Sequence, residues 1–302
     1  MSQVANGPVL NLERVSVSYG RTSVVEDVSI SVERGSVFAL LGRNGAGKSS
    51  LVRCILGQQR VAAGDARLFG RGAWGSRTQA MARVGVVPEE PDAPPGMSGR
   101  QLSAMCRQFY PTWDDAGVAA RLERAGVPWD LAFSKLSKGQ KGAVMLALAL
   151  GHGPELLILD DPTLGLDVVA RKELYEEIIG DLAERGTTVF ITSHDLDGIE
   201  RLADRVAIVK QSKLIVNEPL EDLKGRFRRL RVTGPAASAV VWQPFETLTA
   251  ARRDWGAEAL VTNFSEEALG AFQSRATADL EVASLSLEEI FVVLNGKKEG
   301  VS

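Results

Sequence analysis

The sequence predicts an α/β fold, a parallel sheet wrapped by helices. Short apolar runs at 37–41, 84–87, 156–159 and 187–192 alternate with longer stretches of helical periodicity. That alternation builds parallel sheets through crossover helices. The runs are apolar throughout, as strands covered on both faces must be. Glycine and proline clusters around 57, 88–96 and 151–154 separate them.

Taken in chain order, Val9–Tyr19 and Val24–Val32 alternate apolar and polar residues and read as an N-terminal antiparallel β subdomain. Gly35 marks the entry to the strand Val37–Leu41, which runs into Gly42-Arg43-Asn44-Gly45-Ala46-Gly47-Lys48-Ser49. This octapeptide matches the phosphate-loop pattern G-x-x-x-x-G-K-[ST] at every fixed position. Its glycines let successive backbone N–H groups turn toward phosphate oxygens. Lys48 carries positive charge to the β- and γ-phosphates, and the Ser49 hydroxyl is a ligand for Mg²⁺. The amphipathic stretch Ser50–Leu56 then puts a helix N-terminus behind the anion. A nucleoside triphosphate is the implied ligand.

After Leu56-Gly57 comes a polar, glycine-containing section, and then the strand Val84–Val87. Pro88–Gly96 breaks regular structure. A helical subdomain is expected over about 96–150, with Leu102, Met105 and Phe109 as a core stripe. Tyr110 and Trp113 have two readings, a docking surface or filling of this subdomain's core. Ser137 is a good N-cap for the apolar helix that ends at Leu150, and Gly139 lets backbone approach an anion. Leu156–Leu159 ends in Asp160-Asp161, placing both carboxylates at the carboxyl end of a buried strand, where open α/β sheets bind ligands. Asp160 suits Mg²⁺, and Asp161 suits orienting or deprotonating an attacking water. A helix over Val169–Arg185 stops at Gly186. The next strand ends at Thr192-Ser193-His194, bringing His194 to the same edge, whereas His152 reads as a helix cap.

Two domains are expected: residues 1–222 form the first and 223–302 a small α+β extension. The extension opens on Lys224, Arg226, Arg228, Arg229 and Arg231 and closes in a frayed tail from Gly296. The basic run reads either as a solvated face or strand edge, or as a contact for acidic lipid headgroups.

The net charge of −3 and pI of about 5.7 lack the electrostatic footprint of nucleic-acid binding. Cys54 and Cys106 sit in apolar helical patterns and read as buried free thiols of a reducing compartment. The longest apolar run, Ala143–Gly151, is too short to span a bilayer, and the N-terminus lacks a signal-peptide layout. A soluble chain is expected, reaching any membrane through a partner.

The order of these motifs over residues 8–215 resembles the nucleotide-binding subunit of ABC transporters. The resemblance implies a P-loop NTPase core that binds ATP with Mg²⁺. Tyr19 matches the aromatic residue that stacks on adenine. Gly42, Asn44, Gly45, Ala46, Gly47, Lys48, Ser49 and Ser50 match the phosphate loop. Ser49, Glu89 and Asp160 match the Mg²⁺ site; Asp161, Glu89 and His194 match the catalytic carboxylate, the loop to the permease and the switch histidine. Ser137, Gly139 and Gln140 fall in the signature, and Asp167 in the loop that crosses the dimer interface. A head-to-tail dimer, homomeric or pseudo-symmetric, is implied, with a separate permease at the inner face of the cell membrane. The pattern Leu136-Ser137-Lys138-Gly139-Gln140 and the C-terminal extension look like bacterial exporters of antibiotics.

The chain departs from the family pattern in three places. Lys138 replaces a glycine, Glu89 replaces glutamine, and Asp161 replaces glutamate. A shorter catalytic carboxylate and a carboxylate in place of an amide motivate an alternative, a slow or non-hydrolysing ATP-dependent switch.

Overall fold

The computed structural model describes residues 7–234, 240–275 and 279–296. The chain divides into two compact units, 1–217 and 218–302, a few residues earlier than the sequence reading placed the boundary. The shift has a local cause. Arg226 holds Glu218 at 2.6–3.2 Å and also donates to the Thr262 carbonyl at 3.2 Å, so the segment from 218 onward is tied to the second unit.

In the first unit β1 (Leu10–Tyr19), β2 (Thr22–Val32), β3 (Val37–Gly42) and α1 (Lys48–Ile55) lead into β4 (Ala63–Leu68), β5 (Arg71–Gly72), α2 (Arg77–Met81) and β6 (Val84–Val87). The helices α3 (Gly99–Cys106) and α4 (Asp115–Arg124), a 3-10 turn at Phe133–Lys135, and α5 (Lys138–Leu150) come next. Then come β7 (Leu156–Asp160), α6 (Val168–Arg185), β8 (Thr188–Thr192), α7 (Leu196–Leu202), β9 (Arg205–Lys210) and β10 (Lys213–Pro219).

These strands form one sheet in the order β5-β4-β1-β2-β10-β9-β3-β8-β7-β6. Its two halves differ in kind. β1 pairs antiparallel with β2 and β4, and its burial alternates, as for a sheet with one wet face. β6, β7, β8, β3 and β9 pair in parallel, and every residue of β3 and β8 is buried. Phe38 and Phe190 stack at 5.8 Å between neighbouring strands, and Leu51 and Ile55 of α1 pack into the same core. Helix ends reflect capping chemistry: Ser98 and Ser137 each form a reciprocal box with a glutamine three residues on, and Asp114 and Asp167 cap α4 and α6. Gly186 closes α6 in the left-handed region, φ 66°.

The helical region around α3, α4 and α5 has its own core of Leu102, Val118, Leu122, Phe133, Leu136 and Val144. The expected stripe is only partly there. Leu102 is buried, but Met105 is exposed and Phe109, just past the end of α3, is 75% exposed. The periodicity misled because α3 ends at Cys106, so the third residue of the stripe leaves the helical face. Cys54 is buried and Cys106 half-buried; both are free.

The second unit begins in the last residues of β10 and continues through α8 (Leu220–Arg226), β11 (Arg228–Thr233), β12 (Thr247–Arg253), β13 (Gly256–Val261), α9 (Glu266–Gln273), β14 (Asp279–Ser284) and α10 (Leu287–Asn295). Four antiparallel strands, in the order β12-β13-β11-β14, present Leu230, Val232, Ala259 and Val261 to Phe245 and Phe272. The opposite face carries Arg229 and Arg231 of the basic run in ion pairs, whereas Arg228 alternates onto the Leu230 side, over the Phe264 ring. Arg231 meets Glu258 at 2.9 Å, Arg229 meets Glu289 at 2.7 Å, and Arg228 donates to the carbonyls of Lys224 and Phe227. Arg231 is matched by Glu258 and Glu281 of the neighbouring strands and Arg229 by Glu289 of α10, so these two form a paired, solvated strand face. The expected frayed tail lies, beyond Gly296, outside the described residues.

Candidate functional site

The buried strand β3 delivers the chain to the sheet edge at Gly42, and the loop turns there with a bond from Ala46 N–H to the Arg43 carbonyl (3.0 Å). Gly47 has φ 105°, and a Cβ on it would stand 2.6 Å from Val25 Cγ2 and 2.7 Å from the Val24 carbonyl oxygen. Only glycine fits, in conformation and in space. Gly47 is the N-cap of α1 and offers no side-chain bond, and no acidic residue lies in the first turn. The first N–H groups of the helix are thereby left for an anion.

Lys48 is buried and donates from Nζ to the Gly42 carbonyl at 2.8 Å. Burial pushes its pKa down, and Asp161, Asp160 and Glu89 oppose that by their charge. Register brings the two carboxylates to the same edge: Asp160 of β7 pairs with Thr192 of β8. The Thr192 hydroxyl donates to Asp160 Oδ1 at 2.6 Å and accepts from Asp161 N–H at 2.9 Å. Asp161 is buried, at φ 48°, a conformation that aspartate tolerates better than most residues. Its Oδ2 stands 3.2 Å from His194 Nε2, which is itself 3.4 Å from Lys48 Nζ. Burial raises the Asp161 pKa against the pull of His194 and Lys48.

These groups surround a cleft of about 240 Å³, lined by Val24, Asn44, Gly45, Gly47, Lys48, Ser49, Ser50, Glu89, Asp160, Asp161, Thr192 and His194. Thr192 and Val24 were not anticipated. The signal for Thr192 was its place two residues before His194 at the end of an apolar strand; Val24 carries none, since its contact depends on β2 lying beside the loop. Gly42 supplies its carbonyl from behind, and Ala46 is buried under the turn.

Tyr19 stands at the rim but does not line the cleft. Its hydroxyl donates to Gln59 Oε1 at 2.6 Å, lies 3.3 Å from Ser50 Oγ and accepts from Arg53, while 45% of the residue is exposed. Ser137, Gly139, Gln140 and Asp167 are elsewhere, lining a second and larger groove of about 1140 Å³ between α4, α5 and α6. Ser137 and Gln140 cap each other across the start of α5, and the Lys138 side chain crosses Gly165, where an added Cβ would stand 2.7 Å from its Nζ. Within one copy these residues do not approach the cleft.

Trp113 donates to Ser103 Oγ at 2.9 Å and packs against Gly151; Tyr110 stacks on Trp113 and, at 4.1 Å, on His152. These rings fill the subdomain. His152 caps no helix; it is buried against Tyr110, and desolvation lowers its pKa.

The donor set suits a hard cation. Ser49, Asp160 and Glu89 offer oxygen ligands at one cleft, and among the described residues no cluster of three His, Cys, Asp or Glu side chains forms a cage by itself. That combination fits Mg²⁺, which takes one or two protein oxygens and completes its shell with phosphate and water.

Comparison with known proteins bears on the same region. The family model described as ABC transporter matches residues 25–164. The chain is 34% identical over 213 residues to the bacitracin transport ATP-binding protein BcrA of Bacillus licheniformis, covering 70% of each. It is 36% identical over 217 residues to the Nod factor export ATP-binding protein I of Paraburkholderia xenovorans (strain LB400), covering 68% of this chain and 69% of that one. Among solved structures, the ATP binding subunit of an ABC transporter superposes with a TM-score of 0.65 at 27% identity, over 72% of this chain and 92% of the other.

Proposed function

This chain belongs to the ABC transporter ATP-binding family, and from that premise we propose that it hydrolyses ATP to drive export through a separate membrane permease. Its role as the ATP-binding subunit of such a transporter comes from the family. Hydrolysis, the residue roles, Mg²⁺, the dimer and the direction of transport are our reading. One observation carries it: Lys48, the pair Asp160 and Asp161, and His194, from three separate segments, converge on a single cleft at the sheet edge.

In this reading the phosphate loop and Lys48 hold the β- and γ-phosphates. Asp160, oriented by Thr192, and Ser49 hold Mg²⁺ with Glu89, and the bound ion would offset charge on the phosphate oxygens. Asp161 orients the attacking water, and His194 exchanges its bond to Asp161 for the γ-phosphate. Tyr19 packs on the adenine. Ser137, Gly139 and Gln140 serve the nucleotide of a second copy, which accounts for their distance from the cleft within their own chain. Leu164, Val168 and Val169 are exposed beside Asp167 and supply the apolar contact such a dimer needs.

The loop after β6 links the cleft to the helices. It carries Glu89 at the cleft, and Ala93 and Met97 in the helical core. Exposed Met105 and Phe109 give the permease an apolar face there. Among the described residues no helix is long and apolar enough to cross a membrane. We place the protein at the cytoplasmic face, held by its permease. The name of one relative, Nod factor export ATP-binding protein I, supports export as the direction.

Steady-state phosphate release by purified protein, with and without permease, tests the proposal. Turnover that rises with permease supports it. Tight ATP binding with negligible release in both states favours the switch, for which the short Asp161 carboxylate, tied to His194, is the specific observation.

A further inference from the structure

We propose that Glu89 makes this pocket discriminate against metal-free nucleotide, so that the triphosphate and its divalent cation bind as a unit. The inference rests on the nucleotide-site reading and concerns charge. Three carboxylates, Glu89, Asp160 and Asp161, line the cleft against one ammonium, that of Lys48. Asp160 is engaged by the Thr192 hydroxyl and Asp161 by His194. Glu89 is exposed and makes no hydrogen bond or ion pair among the described residues, so its charge is not locally matched. Its field nevertheless reaches the site, because Glu89 and Lys48 line the same cleft.

A phosphate chain arriving without a cation brings more negative charge to a lining already in excess of it. A cation that arrives with the phosphates cancels part of their charge and adds an attraction to Glu89, which offsets the repulsion. The carboxylate therefore weakens one ligand form and favours the other, and such coupling is reciprocal: metal raises nucleotide affinity by the factor that nucleotide raises metal affinity. A glutamine of the same shape has no such effect. Because Glu89 is exposed, the discrimination fades as salt screens it.

The test is ATP affinity by calorimetry, in Mg²⁺ and in EDTA, for the parent protein and the Glu89→Gln and Glu89→Asp variants, at low and high ionic strength. In Glu89→Gln the ratio of the two affinities should fall by about tenfold, chiefly through tighter metal-free binding. Glu89→Asp should retain the ratio, and high salt should shrink the difference. An unchanged ratio overturns the proposal. So does a ratio that falls only through weaker MgATP binding, which would make Glu89 a metal ligand and nothing more. If the parent binds ATP in neither buffer, the nucleotide-site reading itself fails, and that outcome is distinct from both.

Discussion

His194 Nε2 and Asp161 Oδ2 are 3.2 Å apart, so the imidazole holds the carboxylate to which the proposed function gives the attacking water. Asp161 is buried, and His194 acts on its charge more strongly than Lys48 does. Asp161→Asn should keep ATP affinity and lower turnover by about 10²–10⁴-fold, measured as phosphate release. Full-rate hydrolysis in the variant would mean that another group orients the water.

Lys48→Ala removes the one ammonium of the cleft lining. A charged hydrogen bond of this kind is worth about 1.5–3 kcal/mol, so ATP affinity should drop by roughly tenfold to a hundredfold in a calorimetric titration. Unchanged affinity would refute the phosphate-loop role.

The loop offers an internal control. Gly45 has φ 78° with open space around it, whereas Gly47 has φ 105° and is hemmed in by Val24 and Val25. Gly45→Ala should cost about 1 kcal/mol and Gly47→Ala about 2–4 kcal/mol in urea unfolding, with ATP binding lost in the second. Equal costs would show that the surrounding atoms yield.

Away from the cleft, Arg121 of α4 joins Glu177 at 2.6 Å and Asp181 at 3.2 Å on α6, and Asp181 also holds Thr187 and Arg185. Arg121→Met should destabilise by about 3 kcal/mol in urea unfolding, because Asp181 stays buried with fewer partners. A loss below the error of the fit would mean that Arg185 and Thr187 satisfy Asp181 alone.

Glu155 gives a pH signature. Arg83 first, then Arg34, lowers its pKa from 4.5 to about 2. A depressed folded-state pKa contributes stability that is present above 4.5 and lost as the pH falls toward 2. The carboxylate is partly exposed, so solvent screening limits the contribution to under about 1 kcal/mol. Glu155→Gln should lower the melting temperature slightly at neutral pH and flatten the acid limb between those two values. An acid limb of unchanged slope would assign the effect to other carboxylates.

The parts that sequence revealed are those whose chemistry is local. The octapeptide 42–49 states its own turn, and the apolar run ending in Asp160-Asp161 states its own edge. The hidden parts depend on pairing between distant segments. Thr192 enters the cleft because β8 lies in register with β7, and Val24 because β2 borders the loop. The arginines of β11 read as a solvated strand edge or a lipid contact, and only the register that sets Arg231 against Glu258 and Glu281 shows their partners. Phe109 failed as a core residue because three points of a periodic pattern do not say where the helix ends.

The phosphate loop hangs from β3, which is buried along its whole length and bonded in parallel to β8 on one side and β9 on the other. The backbone amides of that strand should open only with global unfolding and so be the last in the first unit to exchange in deuterium oxide. The anchor of the loop keeps its shape between successive ligands, and little binding free energy goes into reshaping it.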